Sequence, residues 1–176
     1  MADAPHNLTP TQQALLPLLQ AGNVRRLPTW KRTRYEFILE YGSWYEPSPL
    51  PKGVKKAPPG KCFVNAFDLI LADDSLVYCE GVVLAPSGSV PIHHAWVTDG
   101  TGRAIDNTAE TSAGAYAGVP FTTTFLNHYH LRNGEIVSLL DDYMHDWPML
   151  CDLGDRPGKW LEPRGKGVAS LSDKAG

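Results

Sequence analysis

Three side chains have types and surroundings suited to nucleophilic chemistry: Cys62 behind Gly60-Lys61, His94 within His93-His94-Ala95-Trp96, and Asp106 within Ile105-Asp106-Asn107-Thr108. A thiol reacts as thiolate, and a free thiol, titrating near ~8.5, is mostly protonated at neutral pH. A helix N-terminus and a neighbouring imidazolium both favour the thiolate. The base must lie within hydrogen-bond reach of the nucleophile, and a third group must orient the base. Cysteine, histidine and aspartate fit these three roles. Taken alone, Cys62 reads as a small buried hydrophobe, so the functional reading depends on whether the chain brings the three together.

The elements around them follow from apolar spacing. Phe63, Ala66, Phe67, Ile70 and Leu71 fall on one face of a helix starting at Gly60–Lys61 and running to about Ala72, with Cys62 in its first turn. Leu76 to Ala85 reads as a buried strand, Ile92 to Thr98 as a second and Arg103 to Asn107 as a third, joined to the second by Asp99-Gly100-Thr101-Gly102. Opposite residues in an antiparallel pair have numbers of constant sum, so a turn centred on Gly100 sets His94 against Asp106 on one face. Trp96 then shares that face and His93 takes the other. A two-residue Asp99-Gly100 turn would part His94 from Asp106, and a one-residue slip would exchange His94 for His93.

Elsewhere, residues 1–8 carry no element, and Thr9-Pro10-Thr11-Gln12 is a capping box opening a helix to about Gln20, ended by Gly22. Tyr35–Tyr41 alternates like a strand, although a helix stopped by Gly42 also fits. The prolines at 47, 49, 51, 58 and 59 make Pro47–Gly60 an extended loop, and its Lys52, Lys55 and Lys56 read as solvated. A Gly/Ala-rich stretch at 109–119 precedes a helix over Thr122–Arg132 ending near Gly134, and Ile136–Leu140 is ambiguous. The sum is an α+β fold: residues 1–153 as one domain and 154–176, with little left to bury, as a flexible C-terminal tail.

Gly60-Lys61-Cys62 at a helix start, Tyr78-Cys79-Glu80-Gly81, His94-Ala95-Trp96 and Ile105-Asp106-Asn107-Thr108 together resemble the transglutaminase-like superfamily, related to papain-like cysteine proteases. The Cys-Phe-Val-Asn-Ala opening and Gly118-Val119-Pro120-Phe121 are similar to small bacterial and phage proteins of this type. The resemblance spans residues 60–121, with Asn107 standing where the superfamily often has proline. It implies a helix bearing the cysteine packed on an antiparallel sheet bearing histidine and aspartate. It also implies Cys62 as nucleophile, His94 as base and then acid, and Asp106 as orienter. The expected activity is cleavage of an amide bond through a thioester acyl-enzyme, by a peptidase, amidase or deamidase. An oxyanion would be met by the Cys62 N–H and one side-chain donor, for which Asn65 is a candidate; Trp96 and Glu80 are candidate supports, although Glu80 reads first as a satisfied structural carboxylate. No cofactor or metal is implied. The alternatives are a non-catalytic module holding a peptide or protein in the same cleft, and acyl transfer to an amine.

Composition narrows the partners. Sixteen Lys and Arg against nineteen Asp and Glu give a net charge of -3, which argues against nucleic acid as the partner. No apolar run is long enough for a membrane helix, the odd and widely spaced cysteines make a reducing cytoplasm the expected compartment, and the resemblance implies a peptide, protein or small amide substrate. Cys62, Cys79 and Cys151 are odd in number with no CxxC pair, and Cys79 and Cys151 read as structural thiols. His128-Tyr129-His130 falls in a helix and has no evident third partner for a metal.

Overall fold

The computed structural model describes residues 8–22, 26–108, 114–165 and 168–172, so the expectation for residues 1–7 and parts of 109–119 and 154–176 lie outside the described residues. The fold is mixed α and β: among the described residues, four α-helices pack with a closed five-stranded sheet of order β1-β4-β3-β2-β5. Helix α1 spans Pro10–Ala21, with the Thr9/Gln12 capping box formed and Gly22 ending it at φ 52°.

Helix α2 spans Arg34–Tyr41, where the alternation favoured a strand. A second capping box decides it: Thr33 Oγ1 accepts from the Glu36 N–H, and Glu36 Oε2 accepts from the Thr33 N–H. Its buried residues, Phe37 and Ile38, are neighbours in sequence, as a helix face allows and a half-buried strand does not.

Strand β1, Ser43–Ser48, lies where no strand was expected and takes in the start of the proline-rich loop. Residues 43–45 pair antiparallel with β5 and 46–48 pair parallel with β4, so this one strand closes the barrel. The sheet is therefore mixed rather than purely antiparallel. Helix α3 is Cys62–Ala72, β2 Val77–Leu84, β3 Ile92–Thr98 and β4 Arg103–Ile105, close to the elements read from apolar spacing. Strand β5, Ala115–Phe121, emerges from the Gly/Ala-rich stretch and pairs with β2 along its whole length. Helix α4 is Thr123–Asn133, closed by Gly134 at φ 75°. Residues 136–140 form neither helix nor strand.

Two apolar clusters follow from strand alternation. Ala95, Val97, Ile105, Ala117, Val119 and Phe121 face the helices and join the main core with Leu15, Phe37, Ala66 and Leu126. The opposite, enclosed face carries Tyr45, Cys79, Val83, Trp96, Ala104 and Tyr116.

The C-terminal segment departs from the expected tail. Trp160 and Leu171 are fully buried, Leu161 bridges to Phe121, and Ser170 bridges to Ser43. A large apolar residue placed after a Gly/Pro-rich stretch still contributes about 1.5–3 kcal/mol when it finds a core to enter, and composition alone hides that.

Candidate active site

His94 lies on β3, and Asp106 is the residue just past the end of the neighbouring β4, which stops at Ile105 rather than running to Asn107. Val97 pairs with Ile105, so the constant sum is 202 rather than 200. The displacement is two residues, which leaves every side chain on its expected face and makes the His94–Asp106 pair diagonal instead of directly opposite. A histidine side chain spans that diagonal: His94 Nε2 lies 2.7 Å from Asp106 Oδ2. That contact leaves Nδ1 as the second ring nitrogen, and Cys62 lies near enough to His94 to raise its proton affinity.

Cys62 is the first residue of α3. The first backbone bond of this helix runs from the Asn65 N–H to the Lys61 carbonyl, and Lys61 supplies no side-chain cap. The N–H groups of Cys62, Phe63 and Val64 thus have no acceptor within the helix, and Cys62 stands at the positive end of the helix dipole. The Phe63 ring packs on His93, 5.4 Å between centroids, which holds the start of α3 beside the 93–94 end of β3.

The carboxylate of Asp106 is held by more than His94. Oδ1 accepts from the Thr108 N–H at 2.9 Å, and Oδ2 also accepts from the Tyr116 hydroxyl at 2.9 Å. Burial, then the charge and hydrogen bond of Asp106, push the Tyr116 phenol up, so it stays a donor. For His94, burial works against the charged ring. The hydrogen bonds with Asp106 and Cys62 and their charges outweigh burial and raise its pKa from 6.5 to about 9. The His94 side chain is 12% exposed and that of Asp106 5%. Trp96 lies nearly parallel to the His94 ring, 17° apart with centroids at 6.5 Å, and fixes its plane from the enclosed face.

The expected supporting residues have other duties. Both N–H bonds of the Asn65 amide are spent, on the Pro58 carbonyl at 2.8 Å and on Thr108 Oγ1 at 2.9 Å. Asn65 is therefore a brace rather than an oxyanion donor, tying α3 to the loop before it and to the segment that carries Asp106. Glu80 makes no described hydrogen bond with Cys62, His94 or Asp106. Fully buried on the helix-facing side, it accepts from Ser138 Oγ, the Leu139 and Leu140 N–H groups and Tyr78, and pairs with His93 at 2.9 Å. Those bonds pin the segment at 138–140, whose ambiguity in sequence reflects a backbone satisfied by a distant carboxylate. Tyr116 had no local signal, because its role needs the closure of β5 against β2 and β1.

The other two thiols sit apart from any histidine contact of this kind. Burial, opposed by a hydrogen bond with Tyr45, raises Cys79 to about 12. Burial and the charges of Asp152 and Asp146 raise Cys151. His128 and His130 lie on α4, and among the described residues no cluster of three or more His, Cys, Asp or Glu could hold a metal ion. No described helix is long and apolar enough to cross a membrane.

Comparison with known proteins finds no matching family model, curated protein or solved structure.

Proposed function

We propose that this chain is a cysteine hydrolase of transglutaminase-like, papain-like type that cleaves an amide bond in a peptide, a protein side chain or a small molecule. The observation that carries the reading is His94 held at 2.7 Å by the buried Asp106 carboxylate, with Cys62 at the first turn of α3 near enough to raise the His94 pKa. A buried carboxylate behind a histidine fixes its orientation and stabilises the imidazolium, and Cys62 stands at a helix N-terminus.

In the proposed cycle the Cys62 thiolate attacks the carbonyl carbon, forming a C–S bond and an oxyanion. The oxyanion turns toward the unpaired N–H groups of the first turn of α3. The C–N bond then breaks as His94 gives its proton to the leaving amine, which departs as the neutral amine. Water attacks the thioester while His94 takes its proton, the C–S bond breaks, and the carboxylic acid leaves with the thiolate restored. Asp106 keeps the imidazolium oriented throughout and holds it by its charge, and Tyr116 and Thr108 keep Asp106 in place.

An activated ester tests the reading without knowledge of the substrate. p-Nitrophenyl acetate should give a burst of about one nitrophenolate per chain, with an acetyl thioester on Cys62 seen by mass spectrometry and removed by hydroxylamine. The burst should vanish in Cys62→Ala and slow by ~100-fold or more in His94→Ala. A burst absent from the parent protein, or equal in both variants, contradicts the hydrolase reading and favours a binding module.

A further inference from the structure

A cavity of about 630 Å³ lies on the α4 side of the molecule, and neither Cys62, His94 nor Asp106 lines it. Its size is that of a small-molecule site, commonly ~300–1,000 Å³. One wall is aromatic: Phe125 and Tyr129, one turn apart on α4, stand with ring centroids at 5.5 Å, and Leu153 continues the apolar surface. The wall is braced from behind. The Tyr129 hydroxyl donates to Asp142, and His145 Nδ1 meets the same carboxylate at 2.9 Å, which leaves His145 Nε2 as the ring nitrogen open to the cavity.

The charged residues that line the cavity are basic. Arg132 and Lys159 both line it, and neither takes part in an ion pair among the described residues. Among the described residues no aspartate or glutamate lines the cavity, and Asp142 behind the wall is buried and already engaged by Tyr129 and His145. An aromatic wall beside two uncommitted cations suits a ligand with a flat apolar body and one anionic group.

We infer that this cavity is a second ligand site, separate from the Cys62 centre, that takes a small aromatic carboxylate. The aromatic body lies against Phe125 and Tyr129, and the carboxylate meets Arg132 and Lys159. The site needs no chemistry at Cys62, so it stands or falls independently of the proposed hydrolase activity.

Isothermal titration with naphthalene-2-carboxylate and with its neutral isostere, naphthalene-2-carboxamide, tests the assignment. A second pair, 4-phenylbutyrate and 4-phenylbutanamide, covers a longer tether. The expected result is one site per chain, with at least one carboxylate bound ~10-fold or more tighter than its amide. The doubly substituted Arg132→Gln/Lys159→Gln protein should lose that preference and bind acid and amide alike, whereas Cys62→Ala should bind as the parent does. Both cations are exposed, so the variant is expected to fold, which near-UV circular dichroism checks. No saturable binding of either acid, equal binding of acid and amide by the parent, or a preference that survives loss of both cations would overturn the proposal.

Discussion

His94 is the residue on which the site's electrostatics turn. Burial alone would hold its ring neutral, and the Asp106 and Cys62 contacts reverse that, taking its pKa from 6.5 to about 9. Because the folded value is the higher one, proton binding stabilises the folded state. The contribution is complete below about pH 6.5, shrinks as pH rises and is lost above about pH 9. The stability gap between the parent and His94→Gln should therefore narrow by about 3 kcal/mol between pH 6 and pH 10 in urea unfolding. A gap that stays constant across that range would deny the raised pKa. Cys62, His94 and Asp106 were legible in the sequence because each has a residue type that chemistry demands and a strand or helix start beside it. Tyr116, and the bracing duty of Asn65, were not legible, since both depend on partners 10 and 43 residues away.

At the scale of elements, the close approach of β2 and β5 sets the position of Trp96 and through it His94. Gly81 stands opposite Gly118, and a Cβ at Gly118 would lie 2.5 Å from Trp96 Cη2 and 2.9 Å from the Glu80 carbonyl oxygen. Gly118→Ala is expected to push Trp96 off the His94 ring, to cost about 1–3 kcal/mol of stability, and to slow Cys62 acylation with it. Urea unfolding and the p-nitrophenyl acetate burst measure the two effects, and a variant unchanged in both would contradict the packing argument. This crowding also explains why β5 escaped sequence reading: small residues that look like loop are what a tightly enclosed strand needs. Elements with their own capping or apolar periodicity, α1, α3, β2, β3 and α4, were legible close to their observed ends. Strand β1 was hidden by its prolines, and α2 by an alternation that its capping box overrules.

For the molecule as a whole, Trp160 and Leu171 of the C-terminal segment are part of the core. Trp160 packs within 5.1 Å of Phe37, 5.0 Å of Tyr41 and 5.6 Å of Phe121 between ring centroids, and its indole donates to the Leu153 carbonyl. The Leu171 N–H donates to the Gly42 carbonyl, so the chain's last described turn holds the α2–β1 junction. Trp160→Ala should cost about 3–5 kcal/mol in chemical denaturation, as a large side chain lost from a packed core does. A loss below about 1 kcal/mol would mean that the segment only rests on the surface.

The pairing of Cys62 with His94 is the claim on which the functional reading depends, and the rate of iodoacetamide labelling tests it most directly. Labelling would be followed against pH and mapped by peptide mass spectrometry to Cys62, Cys79 and Cys151, in the parent and in His94→Ala. With His94 beside it to take its proton, Cys62 alone should label fast, and it should slow in the variant. Labelling of Cys62 no faster than that of Cys79 or Cys151, and indifferent to the loss of His94, would contradict the account.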